Sequence, residues 1–338
     1  HLSPRSAALA ERSPGEPLRF PGHETVGELV EVGPDATRLR VGQRVVMLPD
    51  TFCAALEIKD PCRHCREGNY CLCEHRERSP ASDPIGGGGC ESFVRHEAQF
   101  FPVPDAISDE QAVLYDPLGC AMRAVLRRPP AQGARVLVVG GGTIGLGIVA
   151  VLKALGVEVS VTVLARHAFQ AERARALGAE HTVAEKGEDV YQALARVLDT
   201  DLVGHRSSNR LLRQGFDIIY DAAGSAATLH HALRWVRPGG AVILEGVNQF
   251  PGPLDRTPIW HREIEIVGSL GHGADVWEGR RLGTYERLTE WLQSGRLAVD
   301  GFLTHRFALD RYREAIRAAA DKARAKSIKV AFDVGGLT

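Results

Sequence analysis

The sequence has no long apolar run and almost no net charge. No stretch approaches the roughly 20 consecutive apolar residues that a membrane-spanning helix needs. The 41 basic and 42 acidic side chains leave a formal net charge of -1, so no overall field favours nucleic acid or anionic lipid. The N-terminal stretch lacks the charged start and the apolar centre of a signal peptide. These absences predict a cytoplasmic protein without nucleic-acid or membrane partners, which binds small molecules or further copies of itself.

The length of the chain predicts two domains. Its 338 residues are more than one hydrophobic core usually organises. Residues 26–101 contain short β-branched runs at 29–32, 44–47 and 93–95, which are cut by glycines and prolines. This texture predicts a small, irregular, mostly β domain.

After residue 130, apolar strands alternate with helical stretches. Strands are predicted at 134–140, 157–164, 216–224, 241–247 and 263–270. The alternation predicts a parallel, doubly wound sheet, with the polar stretch 199–215 as a surface insertion. Beyond residue 270 the predictions are a loop, a helix over 285–293, a strand near Leu303, a helix from Asp310 and a closing strand at 327–332 that packs on the first domain.

A glycine-rich turn follows the first of these strands and opens a helix. The stretch GGGTIG, from Gly140 to Gly145, matches the spacing G-x-G-x-x-G. The first glycine permits a tight turn, the second lets a pyrophosphate approach the backbone, and the third lets helix and strand pack closely. The motif predicts a dinucleotide site, and a merely flexible turn is the alternative. The predicted contacts are Gly140, Gly142, Thr143, Ile144 and Gly145.

The cysteines are clustered instead of being spread along the chain. Five of the seven fall between Cys53 and Cys73, a distribution that argues against a secreted disulfide framework. A Cys-x2-Cys pair with further cysteines nearby suits tetrahedral zinc. Free thiols and a redox pair are the alternatives that the pattern leaves open.

The order of the motifs resembles a known enzyme family. His23 and Glu24 stand in the motif GHE, the cysteine cluster follows, and DPLGC at Asp116 to Cys120 precedes the glycine-rich turn. This order is similar to that of the zinc-dependent medium-chain alcohol dehydrogenases, in particular the polyol, sugar and threonine dehydrogenases. The resemblance covers residues 21–333. It implies a GroES-like catalytic domain at 1–118 and 268–338 and a Rossmann domain at 119–267.

The resemblance implies a catalytic zinc held by His23 and Asp116. Glu24 is implied as a ligand or as a carboxylate behind the ligands, and Cys120 as a small core residue. Members of that branch commonly have glutamate where Asp116 stands. Their first zinc ligand is a cysteine in a Cys-x-x-Asp-x-His stretch, of which we expect His1 to be the last residue, so that the sequence begins after this ligand and lacks the first strands of the β domain.

The resemblance also implies a structural zinc in the cysteine cluster. The family spacing Cys-x2-Cys-x2-Cys-x7-Cys matches its last three positions with Cys62, Cys65 and Cys73. Its first position falls on Lys59, which is not a normal zinc ligand. Cys53 completes the set if residues have been inserted between the first and second ligands, and Cys71 is the reserve candidate.

The end of the second strand of the nucleotide domain predicts the choice of cofactor. An acidic residue about 20 positions beyond the glycine turn reads the ribose of NAD, but this position holds Ala165. Arg166 and His167 follow, and a guanidinium suits a 2′-phosphate. The sequence therefore predicts NADP, with NAD as the less favoured cofactor. Further cofactor contacts are predicted at Ala222, Gly246 and Lys329, the last with the pyrophosphate.

The function that the resemblance implies is hydride transfer between a nicotinamide and an alcohol or carbonyl. The expected substrates are secondary alcohols and ketones, or aldehydes, of polyol, sugar or amino-alcohol type. A homodimer or homotetramer is expected through the strand at 263–270. A non-catalytic NADP-binding sensor and a zinc-free quinone or enoyl reductase of the same architecture are the alternatives.

Overall fold

The computed structural model describes residues 22–78, 87–204, 210–248 and 252–334. The predictions that concern His1 and the rest of the first 21 residues therefore lie outside the described residues. Among the described helices, none combines the length and the apolar character that crossing a bilayer requires.

The β domain contains a three-stranded antiparallel sheet. Its strands, in spatial order, are β1 (Val26–Glu28), β2 (Arg44–Met47) and β3 (Phe100–Pro102). The middle strand buries three successive apolar side chains between its neighbours, which explains why the run at 44–47 was predicted correctly.

Two of the three predicted strands of this domain are wrong. The first strand ends at Glu28, and Gly42 donates to Leu29 O as the chain turns away from the sheet. Val30 is 77% exposed. The run at 93–95 forms no strand, and Val94 is 89% exposed. Leu29 is buried against Leu39 and Val45 without continuing the strand, so β-branched and apolar residues alone did not create a strand here.

The nucleotide domain is built on a parallel, doubly wound sheet, as predicted, and this sheet has a sixth strand, at His181–Ala184, that was not predicted. The spatial order is β6, β5, β4, β9, β10, β11, the doubly wound arrangement of a dinucleotide-binding fold. The central strands are apolar on both faces because helices cover both sides. The bounds are β4 (Ala134–Val139), β5 (Val159–Ala165), β6 (His181–Ala184), β9 (Phe216–Asp221), β10 (Val236–Leu244) and β11 (Glu265–Gly268).

Helices connect the strands, and one long helix spans the junction between the two domains. The helix α3 (Tyr115–Arg127) packs on α4 (Thr143–Ala154) and on α9 (Thr284–Gln293). It therefore crosses the predicted boundary between residues 118 and 119 without a break. The other helices are α1 (Arg63–Arg66), α2 (Asp109–Ala112), α5 (Ala168–Ala176), α6 (Val190–Leu198), α7 (Ala226–Trp235) and α8 (Thr257–His261).

The segment after β11 contains a hairpin where the sequence predicted a loop. Its strands are β12 (Ala274–Trp277) and β13 (Arg280–Gly283), paired antiparallel. The two connecting residues, Glu278 and Gly279, both have positive φ, 51° and 72°, as tight hairpin turns require. The dipeptide Glu-Gly is a weaker turn signal than Asn-Gly or Asp-Gly, and the prediction missed it.

The C-terminal part follows the prediction. The helix α10 (Tyr312–Ala320) begins after a short 3-10 turn, and α11 (Lys322–Ala325) follows it. The strands β14 (Leu303–Ala308) and β15 (Lys329–Asp333) pair in parallel. Thr143 at the start of α4 donates its hydroxyl to Ile328 O at 2.9 Å, so this segment touches the glycine-rich turn.

The stretch 199–215 is more ordered than a simple surface insertion. It contains the short antiparallel strands β7 (Leu202–Val203) and β8 (Leu211–Leu212), and residues 205–209 between them lie outside the described residues. Leu212 is fully buried in the core of the nucleotide domain. Leu202 packs on the same core, and Arg262 donates to Leu212 O at 2.9 Å, so the described part of the insertion is attached to the domain.

Candidate functional site

Four cysteines of the cluster meet in one place. The sulfur atoms of Cys53, Cys62, Cys65 and Cys73 all lie within 4.8 Å of one another. The Sγ atom of Cys73 is 3.7 Å from that of Cys53 and 4.0 Å from that of Cys62. Tetrahedral zinc with Zn–S bonds of about 2.3 Å places its sulfurs about 3.8 Å apart. The donor set and its spacing therefore fit a closed structural zinc site.

Backbone amides converge on these thiols. The amide of Cys62 donates to Cys53 Sγ at 3.3 Å, and that of His75 donates to Cys73 Sγ at 3.4 Å. Burial works to raise the pKa of Cys62, but hydrogen bonds from the Glu74 and Cys65 backbone and from neighbouring thiols lower it to about 7. Burial instead raises the pKa values of the Cys53 and Cys65 thiols, so without a metal Cys62 is the thiol whose charged form is favoured over its usual state. All seven cysteines of the chain are free.

Cys71, the reserve candidate, is not part of this set. Its thiol donates to Asp50 Oδ2 at 2.9 Å and accepts from the backbone amide of His272 at 3.0 Å. The short 3-10 turn that contains Cys71 directs this side chain toward the next site along the molecule. Cys71 therefore lies in the lobe but outside the set of four thiols, and its ligand atom groups with those of Asp50 and His272.

The second site is centred on Asp116, in the first turn of α3. His23 Nε2 lies 3.6 Å from Asp116 Oδ2, and the ligand atoms of His23, Glu24 and Asp116 are all within 4.8 Å of one another. Asp116 is buried, whereas 41% of the His23 side chain is exposed. The structure thus brings together the three residues that the sequence singled out, with a buried carboxylate facing a solvent-accessible imidazole.

A residue that sequence reasoning missed completes this site. His272 lies between β11 and β12 and is 6% exposed, with Nε2 3.0 Å from Asp116 Oδ1. The hydroxyl of Tyr285 lies 3.3 Å from the same nitrogen. The available signal was the pair of glycines around His272, but a histidine between glycines is common in ordinary loops.

Cys120 also faces this site, contrary to the prediction of a core residue. Its thiol, the Asp116 carboxylate and the His272 imidazole lie within 4.8 Å of one another. Residues 116 and 120 are one helical turn apart on α3, so both point to the same side. Burial holds the pKa of the Cys120 thiol well above its usual value.

The carboxyl group of Asp116 is held in its charged form. Burial works to raise its pKa, but hydrogen bonds and charge from His23 and His272 outweigh burial and place the pKa well below the usual range. By contrast, burial raises the pKa of nearby Glu245 to about 8, so that carboxyl is mostly protonated at neutral pH. The two buried acids therefore differ in charge.

The glycine-rich turn has the tight geometry that dinucleotide binding requires. A Cβ atom at Gly145 would lie 1.8 Å from Gly140 O, so only glycine fits. Gly142 opens onto free space, and the first atom beyond it is Lys322 Nζ, 4.0 Å from its Cβ position. Thr143 contacts the catalytic domain through Ile328, and Ile144 packs on the core.

The end of β5 holds the residues that were predicted to select the cofactor. Ala165 is buried, Arg166 is exposed, and His167 stacks on Phe169 at the start of α5. Arg166 makes two hydrogen bonds to Glu185, which follows β6. The tip of β5 itself has no acidic residue, but the neighbouring strand brings the Glu185 carboxylate beside Arg166.

Of the remaining predicted cofactor contacts, Ala222 and Gly246 lie at this same carboxyl edge of the parallel sheet, and Lys329 lies in another sheet. Ala222 follows β9 and its amide donates to Val139 O at 3.0 Å, while the Gly246 amide donates to Asp221 O. Lys329, expected at the pyrophosphate, instead forms an ion pair with Glu24. Lys322 is the lysine that stands over the glycine-rich turn.

Comparison with known proteins identifies the relatives of this chain. Residues 6–105 match the alcohol dehydrogenase GroES-like domain, and residues 143–286 match the zinc-binding dehydrogenase domain. L-idonate 5-dehydrogenase of Vitis vinifera is 30% identical over 328 residues, which cover 93% of this chain and 78% of that protein. L-threonine 3-dehydrogenase of Pyrococcus horikoshii is 30% identical over 304 residues, covering 89% and 78%.

The fold is also that of solved dehydrogenases. An alcohol dehydrogenase from Thermus sp. ATN1 superposes with a TM-score of 0.74 at 23% identity, covering 98% of this chain and 91% of that one. The two matched domains and the dehydrogenase relatives together support a nicotinamide-dependent oxidoreductase. The chain belongs to the zinc-dependent medium-chain alcohol dehydrogenase family, in its polyol and threonine dehydrogenase branch.

Proposed function

We propose that this protein is a zinc-dependent dehydrogenase that transfers hydride between NADP and a secondary alcohol or ketone, or an aldehyde, of polyol, sugar or amino-alcohol type. One observation carries the proposal: two adjacent residues connect the nucleotide turn with the candidate metal donors. Ile328 accepts the Thr143 hydroxyl at the glycine-rich turn, and Lys329 pairs with Glu24 beside His23 and Asp116. The two sites are therefore neighbours.

The donors of the second site fit a catalytic zinc. His23 offers an imidazole nitrogen, Asp116 a carboxylate that stays charged at neutral pH, and Glu24 a second carboxylate. Nitrogen and oxygen donors with one open side are typical of catalytic zinc. A zinc ion bound there supplies Lewis acidity toward the substrate oxygen.

The protein's own residues orient the reacting groups. The turn at Gly142 and the N-terminus of α4 receive the pyrophosphate, and the Lys322 ammonium over this turn supplies a positive charge. Ala222 and Gly246 follow β9 and β10 at the carboxyl ends of the strands, where this fold binds its cofactor. The ion pair between Glu24 and Lys329 joins the two segments of the catalytic domain, and the neighbouring Ile328 contacts the glycine-rich turn.

The substrate class rests on the relatives. The proteins that match this chain over most of its length are named as dehydrogenases of D-arabinitol, sorbitol, L-idonate and L-threonine. Each of these compounds carries a hydroxyl beside further polar groups. We infer that the substrate here is likewise a small polar alcohol.

The preference for NADP rests on Arg166 and His167. Arg166 sits at the end of β5, beyond a small residue, where the ribose of the cofactor is bound in this fold. Its guanidinium can exchange the Glu185 carboxylate for a 2′-phosphate, which carries more negative charge and accepts the same bidentate pair of hydrogen bonds. His167 lies next to it and adds a second donor.

The cysteine lobe is proposed to hold a structural zinc, and β11 to bind a second copy of the chain. Four thiols fill every position of a tetrahedral ion and leave none for substrate.

The edge strand β11 exposes backbone groups, and Ile266, Leu270 and the nearby Trp260 are 37%, 52% and 71% exposed. An apolar sheet edge of this kind is commonly covered by a symmetric partner.

The test combines metal analysis with a turnover screen on the full-length protein. Two zinc ions per chain are expected, with absorbance changes at the nicotinamide band for polar secondary alcohols and NADP. Tight NADP binding with one zinc and no turnover of any alcohol would favour the non-catalytic sensor. Turnover of quinones or enones by metal-free protein would favour the zinc-free reductase.

A further inference from the structure

The Asp116 carboxylate is shared between two histidines on opposite sides. His23 Nε2 approaches Oδ2 at 3.6 Å, while His272 Nε2 approaches Oδ1 at 3.0 Å. The two imidazoles therefore address different oxygens of one carboxylate. His23 is largely accessible, whereas His272 is buried.

We propose that His272 is a positioning residue, which holds Asp116 Oδ1 so that Oδ2 is presented to the metal beside His23. The proposal rests on the proposed function, because it assumes a metal ion at His23 and Asp116. An ionised carboxylate only accepts hydrogen bonds, so the Nε2 atom of His272 acts as the donor. A carboxylate ligand fixed in this way needs no reordering when the ion binds.

The surroundings of His272 are shaped to hold the ring. A Cβ atom at Gly119 would lie 2.7 Å from His272 Cδ2, so the absence of a side chain there makes room for the imidazole. The Tyr285 ring packs edge-on at a centroid distance of 4.6 Å, and its hydroxyl lies 3.3 Å from Nε2. The ring is thus confined on two sides.

The backbone at His272 is fixed as well. Its amide donates to Cys71 Sγ at 3.0 Å, and Gly271 has φ of +54° with its Cβ position 2.4 Å from the same sulfur. Asp50 accepts the Cys71 thiol on the far side. This chain of contacts ties His272 to the segment just beyond the cysteine lobe.

His272 does not share a single ion with His23 in this arrangement. The donor groups within 4.8 Å of one another place His23 with Glu24 and Asp116, and His272 either with Cys120 and Asp116 or with Asp50 and Cys71. Ligands of one tetrahedral zinc lie closer together than that limit. His272 therefore acts through the carboxylate.

The test measures metal affinity in three variants of the full-length protein. Zinc binding is followed by competition with a chromophoric chelator, and the cobalt-substituted protein by its visible spectrum. His272→Ala should weaken binding at the His23 site by about 10- to 100-fold and shift the cobalt bands. His272→Gln, whose amide can donate from nearly the same place, should restore most of the affinity. Gly119→Ala should weaken binding by displacing the ring.

Controls separate this inference from the proposed function. The lobe zinc, NADP affinity and thermal unfolding of metal-free protein should change little in His272→Gln. If His23→Ala removes the second zinc but His272→Ala and Gly119→Ala bind it with unchanged affinity and spectrum, the positioning role is refuted. If His23→Ala also leaves the second zinc in place, the proposed catalytic site itself is wrong. Should His272→Ala not fold, the comparison of His272→Gln with Gly119→Ala decides the question.

Discussion

The guanidinium of Arg166 donates two hydrogen bonds to the carboxylate of Glu185, from Nε to Oε2 at 2.6 Å and from Nη2 to Oε1 at 3.0 Å. The hydrogen bonds from Arg166 lower the pKa of Glu185 below its usual value. Arg166 is 62% exposed and Glu185 40%, so water screens the pair and it contributes little stability. A ligand that offers more negative charge can therefore displace the glutamate.

This pair predicts how two substitutions change cofactor preference. Arg166→Ala should weaken NADP binding about tenfold, since a charge-assisted hydrogen bond contributes about 1.5–3 kcal/mol, with much less effect on NAD. Glu185→Gln should strengthen NADP binding about 2- to 5-fold, because the competitor for the guanidinium loses its charge. Titration of each cofactor followed by nicotinamide fluorescence measures both. Equal or better catalytic efficiency with NAD in the unmutated enzyme would contradict the preference.

Removal of one lobe cysteine should release one zinc. Cys65→Ser is expected to lower the zinc content by one ion per chain and to lower the unfolding temperature, because the ion crosslinks the loop. Cys90→Ser is the matched control, since among the described residues Cys90 has no disulfide and belongs to none of the candidate metal groups. Atomic absorption and calorimetry give the readouts. An unchanged zinc content in Cys65→Ser, or equal losses in both variants, would refute the assignment.

His23→Ala should abolish turnover while cofactor binding stays nearly intact. The imidazole faces Asp116 from the catalytic domain, whereas the glycine-rich turn belongs to the nucleotide domain. His181→Ala, at the exposed edge strand β6, is the control and should keep full activity. Steady-state rates and NADP affinity are compared in the three proteins. Retained activity in His23→Ala would place the chemistry elsewhere.

Burial of Glu245 predicts a pH dependence of stability in metal-free protein. Burial raises its pKa to about 8 in the folded state, above the unfolded value of 4.5. Protonated Glu245 thus favours the folded state below the unfolded pKa, and this contribution is lost as the pH rises toward 8. The free energy of unfolding should fall by on the order of 3 kcal/mol over this range relative to Glu245→Gln. Urea unfolding at pH 5 and 8 measures the difference, and parallel pH profiles would refute it.

A charged side chain introduced on the edge strand β11 should dissociate the proposed oligomer into monomers. Ile266→Asp places a carboxylate on the exposed edge, where burial against a partner would cost several kcal/mol. Thr182→Asp on β6, the opposite edge of the same sheet, is the control. Solution scattering at micromolar concentration should show a dimer or tetramer for the control and a monomer for Ile266→Asp. A monomeric unmutated protein would contradict the interface.

The sequence alone determined the elements whose signals are local. The apolar periods of β4 and β5, the glycine spacing from Gly140 to Gly145 and the density of cysteines are all read within short windows, because backbone geometry and thiol spacing act over a few residues. These features were sufficient to predict the doubly wound sheet and the place of the nucleotide turn. The weak strands of the β domain were mispredicted because their neighbours, and not their own residues, decide whether a strand forms.

Only the tertiary structure decided which side chains meet across long stretches of sequence. It placed Lys329 against Glu24 and His272 behind Asp116, after the chain had passed through the whole nucleotide domain, and it placed Glu185 beside Arg166 across two neighbouring strands. No spacing rule connects such residues, since the order of strands in the sheet and the packing of helix α3 bring them together. The sequence motifs therefore predicted part of the chemistry of the site, whereas the contacts that orient and charge its side chains depend on the fold.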